Sequence, residues 1–294
     1  MRKNKKTSDI KGSNIETRES EDLVTGNMAS HCKAEEIMAN LVIGTSGYSY
    51  KEWIGSVYPE GTNQKDFLKL YAREFHGVEL NFSYYRQLEA RTIAKMLEIV
   101  PQGFLFTIKA YKGLTHEISD NPHTEAVQFK QGVLPMLETS SLGAVLLQFP
   151  YRFHYTLENR RYLQKLCSEF EAVPLAIEFR NREWLKESVY DTLRKLDIAL
   201  ACLDEPDLPN LIRPSDVVTA HFSYVRFHGR NKENWWTGDN RMRYDYLYSD
   251  QELVDWIPRI RSLAGRVHTL FVFFNNHWKG QAVLNARRMG ELLA

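Results

Sequence analysis

Three residue pairs set two apart carry the chemistry open to this chain: Glu79 and Asn81, Glu178 and Arg180, Arg226 and His228. Each is interleaved with large apolar residues: Val78 and Leu80, Ile177 and Phe179, Val225 and Phe227. On a strand, that spacing puts the polar pair on one side and the apolar pair on the other. Glu79 or Glu178 can serve as general base, with His228 as proton partner. Arg180, Arg226 and Arg230 can grip a carboxylate or phosphate by forked hydrogen bonds. Lys109, Gln148, Asp204 and Asn275 end other apolar runs. Lys109 can act as an electrophile or, with a depressed pKa, as a Schiff-base nucleophile. Asn81, Gln148, Asn275 and Asn276 can orient a substrate, and Tyr85, His116, Asp204 and His277 complete the candidate binding set. Unpaired, such groups would each cost several kcal/mol to bury, so they must pair or reach water. A purely internal pairing, Glu178 with Arg180 and Glu79 with Lys109, is the alternative.

Positioning these groups needs strands covered on both faces. Residues 271–277, Phe-Val-Phe-Phe-Asn-Asn-His, show the pattern: an unbroken apolar run that turns polar where it leaves the core. Similar runs at 41–44, 77–81, 104–109, 143–148, 174–179, 198–202, 222–227 and 269–274 are the expected strands. Helical spacing is expected over 63–75, 88–99, 124–137, 157–170, 185–196, 250–263 and 281–293. Ser249 and Glu252 fit a capping box before the 250–263 helix. Residues 204–218, with Pro206, Pro209 and Pro214, read as loop, as do 231–243. Eight strands alternating with helical stretches over about 250 residues are the arithmetic of a (β/α)8 barrel. A doubly wound sheet would carry a Gly-rich first turn, and no GxGxxG is present. A barrel builds its site at the C-terminal ends of its strands, where the polar residues fall. The expected organisation is a single barrel over 40–294 after a disordered tail over 1–39, with a short helix near 33–38.

Formal net charge is +1 in 294 residues, so no global field draws the chain to nucleic acid or membrane. No apolar run approaches the length of a membrane span. Cys32, Cys167 and Cys202 lie far apart, which points to a reducing, cytoplasmic setting and away from disulfides or a structural zinc site. The tail lacks the apolar segment of a secretory signal. Glu79, His116, Glu178, Asp204, His228 and His277 offer metal-ligand atoms. They show no HExxH or HxH spacing, and Lys109 with the arginines would repel a cation, so a metal is not favoured and the cofactor stays open. Between 226 and 243, Arg226, Arg230, Lys232, Arg241 and Arg243 alternate with Trp235 and Trp236, diluted by Glu233 and Asp239. That stretch reads as a lid that excludes water, or as a holder of phosphates and stacked bases.

Longer motifs carry a family resemblance. They are Ile-Gly-Thr-Ser-Gly-Tyr-Ser-Tyr over 43–50 with Trp53 and Tyr58-Pro59, then 78–81 with Tyr84, Tyr85 and Arg86. Lys109-Ala110, Thr115-His116, 146–150, Glu178-Phe179-Arg180 with Trp184, 226–230, Tyr246 and 274–277 complete the set. In order from Leu41 onward, they resemble the DUF72 (YecE-like) family, with Phe82 and Ser83 as departures. The resemblance implies a TIM-like barrel and no established reaction. Its outline is similar to the barrels of endonuclease IV and xylose isomerase, a likeness of fold alone. The three-metal histidine set of endonuclease IV is not visible. Three functions remain open. The first is an enzyme of hydrolase, lyase or isomerase type, taking a small anionic or polyhydroxylated substrate. The second is a nucleic-acid binder or nuclease. The third is a non-catalytic barrel that docks a partner on Trp53, Tyr84, Tyr85, Trp235 and Trp236. Oligomeric state is not legible.

Overall fold

The computed structural model describes residues 39–119 and 121–294. The expected tail, apart from Ala39, and the short helix near 33–38 lie outside the described residues, as does Cys32. Eight strands follow one another: β1 Asn40–Thr45, β2 Gly77–Leu80, β3 Leu105–Lys109, β4 Leu142–Gln148, β5 Leu175–Glu178, β6 Ala199–Asp204, β7 Phe222–Phe227 and β8 Thr269–Phe274. The helices are α1 Phe67–Tyr71, α2 Ala90–Leu97, α3 His123–Glu138, α4 Leu157–Ser168, α5 Glu187–Lys195, α6 Asn240–Arg243, α7 Asp250–Ala264 and α8 Gln281–Leu293.

All seven ladders are parallel, in the order β1-β8-β7-β6-β5-β4-β3-β2. The remaining seam, between β1 and β2, is closed by a bridge between Ser46 and Glu79, with Gly47 N donating to Glu79 O at 2.7 Å. Two glycines allow that approach. A Cβ on Gly44 would stand 2.4 Å from Gly77 O, and one on Gly77 would stand 2.4 Å from Val42 Cγ1. The result is a nearly closed (β/α)8 barrel, as the strand count implies.

Three elements depart from expectation. The helix expected over 63–75 is a 3-10 turn at Gln64–Asp66 followed by the short α1. Beyond Tyr71 the chain tightens, with Arg73 N and Glu74 N bonding three residues back to Leu70 O and Tyr71 O. Strand β6 runs two residues further than expected, to Asp204. The stretch expected as loop over 231–243 ends in the short α6, whereas the described residues between β6 and β7 hold no helix, as their prolines led one to expect. The expected capping box is present: Ser249 Oγ accepts from Glu252 N, and Glu252 Oε2 accepts from Ser249 N at 2.9 Å.

Outward-facing residues lock the strand ends that carry the polar pairs. Phe179 stacks on Trp184 with ring centroids 4.4 Å apart, and Phe153 stacks on the same indole at 5.2 Å. Phe227 lies between Phe274, at 4.5 Å, and Trp256, at 4.6 Å. Each buried ring contributes roughly 1.5–3 kcal/mol. The backbone is thereby held at Arg180 and His228, the inward neighbours of Phe179 and Phe227.

Candidate functional site

Inside the mouth, the guanidinium of Arg226 joins three strands. Its Nε donates to Glu79 Oε2 at 2.9 Å and its Nη2 to Glu79 Oε1 at 2.6 Å, a fork reaching β2. Its Nη1 donates to Glu178 Oε2 on β5 at 2.5 Å. The Tyr224 hydroxyl adds a further bond to Glu79 Oε2 at 2.8 Å and meets Thr107 Oγ1 at 2.7 Å. Arg226 is 2% exposed, and both glutamates are fully buried. A second arginine extends the network: Arg180 Nε donates to Glu178 Oε1, Nη1 to Glu205 Oε2 at 3.1 Å, and Nη2 contacts His228. His228 Nε2 lies 3.5 Å from Glu178 Oε1, and Asn275 Nδ2 lies 3.1 Å from His228 Nδ1. His228 Nε2 therefore stands between a guanidinium donor, Arg180 Nη2 at 3.1 Å, and a carboxylate acceptor, Glu178 Oε1.

Above this layer opens a cleft of about 550 Å3. Its described walls carry four cations, Lys109, Arg180, Arg226 and Arg243, and no Asp or Glu. Asn81, Gln148 and Asn275 supply amides, and His116 and His277 supply imidazoles. Tyr50, Tyr84, Tyr151, Trp235 and Tyr244 are among the rings. Tyr85, 67% exposed, and Trp236, 52% exposed, also line it. The indole of Trp235 has two guanidiniums near its ring, Arg180 at 5.8 Å and Arg243 at 6.0 Å.

The cations differ in what they hold. Arg180 and Arg226 are bonded to buried carboxylates, as described above. Among the described residues, the Lys109 ammonium has no hydrogen bond or ion pair, and its close neighbour is the Tyr84 ring, with the centroid at 4.3 Å. Arg243 Nε is buried without a partner, as are Asn81 Oδ1 and His277 Nδ1. Buried polar atoms are nearly always bonded, so unpartnered ones on a cleft wall mark where a ligand or water completes the set.

Electrostatics follow this division. Burial, and then the positive charge of Arg226, push Lys109 down to about 7, with Glu178 opposing and Arg180 adding. Burial opposes ionisation of Glu178, yet Arg180 and Arg226 hold its carboxyl well below the usual carboxylate range. Burial raises Glu205 to about 7 against the pull of Arg180. Burial lowers His116 and His228 to about 3, helped by Lys109 and Arg180 respectively, and lowers His277 to about 4. The three imidazoles are therefore neutral near pH 7.

Of the residues singled out in the sequence, Asn81, Tyr85, Lys109, His116, Gln148, Arg180, Arg226, Asn275 and His277 line the cleft. Glu79, Glu178 and His228 sit behind them, bonded to the two arginines, and do not line it. Glu79 is paired with Arg226 where the sequence suggested Lys109. Asp204, Arg230 and Asn276 are drawn elsewhere. Asp204 accepts from Arg230 Nε and Nη2, Tyr248 Oη and Trp256 Nε1, a saturated carboxylate beside α7. Asn276 Nδ2 bonds Tyr246 O and Asn285 Oδ1. Among the described residues, no group of three or more His, Cys, Asp or Glu is placed to hold a metal ion. Cys167 and Cys202 are free thiols. No helix among the described residues is long and apolar enough to cross a membrane.

Sequence reading passed over Tyr224, Glu205 and Tyr244. Tyr224 was within reach, since it shares the inward parity of Arg226. Glu205 and Tyr244 lie in irregular segments beyond strand ends, where alternation carries no information.

Fold and site together define a (β/α)8 barrel with a cation-lined, ring-walled cleft above a buried carboxylate–arginine layer. Comparison with known proteins places it more narrowly. The chain belongs to the DUF72 family, whose profile, described as "Protein of unknown function DUF72", matches residues 42–294. It is similar to UPF0759 protein YunF of Bacillus subtilis (strain 168), 34% identical over 273 residues, covering 86% of this chain and 94% of that one. A crystal structure of a DUF72 family protein from Thermotoga maritima MSB8 is 38% identical, with a TM-score of 0.81 over 86% of this chain and 99% of that one. A second, from Enterococcus faecalis V583, is 27% identical, with a TM-score of 0.78 over 86% and 95%.

Proposed function

We propose that this barrel is an enzyme that admits a small anionic, hydroxylated substrate, with Arg243 holding the anion and Lys109 as the reactive group. One observation carries the reading: two cations without an anionic partner among the described residues line a cleft whose described walls have no carboxylate. Glu79 and Glu178, considered as bases from sequence, become positioning residues in this reading, because both serve buried arginines. They fix Arg226 and Arg180, which add to burial in keeping Lys109 from being protonated as readily as a free lysine. His228 positions Arg180. The test is a thermal-shift and calorimetric panel of inorganic phosphate and phosphorylated and carboxylated metabolites against uncharged analogues. Binding of at least one anion is expected, weakened about tenfold or more in Arg243→Ala, the scale of one charge-assisted contact. A folded protein that binds none of them ends the reading.

A second reading is favoured by the exposed rings of Tyr85 and Trp236 on the cleft wall, which suit stacked bases. It predicts binding of a fluorescent single strand at low salt, lost when both rings become alanine.

A further inference from the structure

We infer that Lys109 captures its substrate as an imine, so that the cleft takes a hydroxylated aldehyde or ketone carrying a phosphate or carboxylate. The inference rests on the anion-site reading above and deepens it. Lys109 ends β3 on the cleft wall, free of hydrogen bonds among the described residues, with the Tyr84 ring against its nitrogen. Its neighbour Lys112 is different, tied to Glu117 at 2.8 Å. The groups facing Lys109 come from every element around it: Glu79 on β2, Tyr84 and His116 in the following loops, Glu178 and Arg180 at the end of β5, and Arg226 on β7. Both glutamates have their oxygens bonded to arginine, and among the described residues neither forms an ion pair with the Lys109 ammonium. With burial and Arg226 lowering it to about 7, a large fraction of the amine is unprotonated at neutral pH.

The unpartnered atoms describe what the amine attacks. Arg243 lines the cleft with no carboxylate paired to it among the described residues, and a guanidinium calls for an oxygen anion. Asn81 Oδ1 is a buried acceptor and calls for a hydroxyl or other donor. A lysine nucleophile calls for an electrophilic carbon, and a carbonyl supplies one without any further reactant. The neutral nitrogen adds to the carbonyl carbon, forming a C–N bond, and the oxygen takes a proton to give a carbinolamine. The C–O bond then breaks, the oxygen leaves as water with a second proton, and the nitrogen keeps the positive charge. From the neutral amine, the carbonyl and one proton taken from solvent, the products are one iminium and one water.

The experiment uses the full chain with dihydroxyacetone phosphate, pyruvate or uncharged dihydroxyacetone, each with sodium cyanoborohydride, followed by peptide mapping. Hydride from the reagent converts the iminium to a stable secondary amine. The expected result is one adduct on Lys109, forming about tenfold or more faster than on Lys112. The anionic probes should outpace dihydroxyacetone, Arg243→Ala should slow only the anionic ones, and the rate should level off above about pH 7. Relative rates of the phosphate and carboxylate probes assign the anion. Adducts spread over surface lysines with Lys109 no faster would overturn the imine, even if calorimetry still shows anion binding. Equal labelling by charged and uncharged probes would overturn the anionic substrate while leaving the nucleophile. Because the mapping uses the wild-type chain, its outcome does not depend on a variant folding.

Discussion

Arg226 and Lys109 end their side chains in the same mouth and have opposite fates. A guanidinium keeps its charge and offers a planar fork, which suits it to two glutamates at once. An ammonium gives up its proton more readily, and Lys109 is left with a ring face and two cations nearby. Three expectations follow at this scale. Glu178→Gln removes the charge shared by Arg180 and Arg226 and should cost about 3–5 kcal/mol in urea denaturation. Because Glu178 raises the Lys109 pKa, the same variant should move the pH profile of cyanoborohydride labelling at Lys109 to lower pH. Lys109→Met tests the linkage directly. The folded-state pKa lies below the ordinary 10.5, so wild type loses stability as pH falls from there through about 7. The variant escapes that loss. Its stability advantage in denaturant titrations should grow on acidification and level off below about 7; an advantage independent of pH would contradict the assigned shift.

At the level of elements, two devices hold the mouth in shape. The first is the glycine seam between β1 and β2, where the chain brings Ser46 beside Glu79. Gly44→Ala places a methyl 2.4 Å from a backbone oxygen, which yields less easily than the end of a side chain. Overpacking of this kind costs about 1–3 kcal/mol. Hydrogen exchange should show the loss concentrated in β1 and β2, with β5–β7 keeping their protection. The second device anchors the segment after β7, which carries Trp235, Trp236, Arg243 and Tyr244. Arg230 bridges Asp204 and Glu252, and Glu252 also caps α7 and accepts from Tyr246 Oη at 2.5 Å. Asp204→Asn should therefore raise exchange across residues 229–248 and weaken anion binding, while the barrel strands stay protected. If exchange rises uniformly instead, the anchor is a core element and not a loop tether.

For the whole molecule, a net charge of +1 leaves cleft chemistry to local cations. A polynucleotide lying in the cleft would neutralise mainly Lys109 and Arg243, since Arg180 and Arg226 are already paired. The expected slope of log affinity against log salt is then shallow, about −1 to −2. A slope of about −6 or steeper would require a basic surface beyond the cleft.

The alternation of apolar and polar residues determined the strands, their inward faces and the end of the barrel at which Glu79, Glu178, Arg226 and Lys109 meet, because a strand's two faces are a local property of the chain. The capping box at Ser249 was legible for the same reason. The family motifs were legible too, though they imply no reaction. Which charges satisfy one another was decided only by tertiary structure. Glu79 and Arg226 are 147 residues apart, and nothing local distinguishes that pairing from Glu79 with Lys109. Closure of the barrel decided it, bringing β2 and β7 within reach of one guanidinium and leaving the amine on β3 without a carboxylate. Loop residues such as Tyr244 and Glu205 carry no periodic signal, so their place beside the cleft is likewise a product of the closed fold.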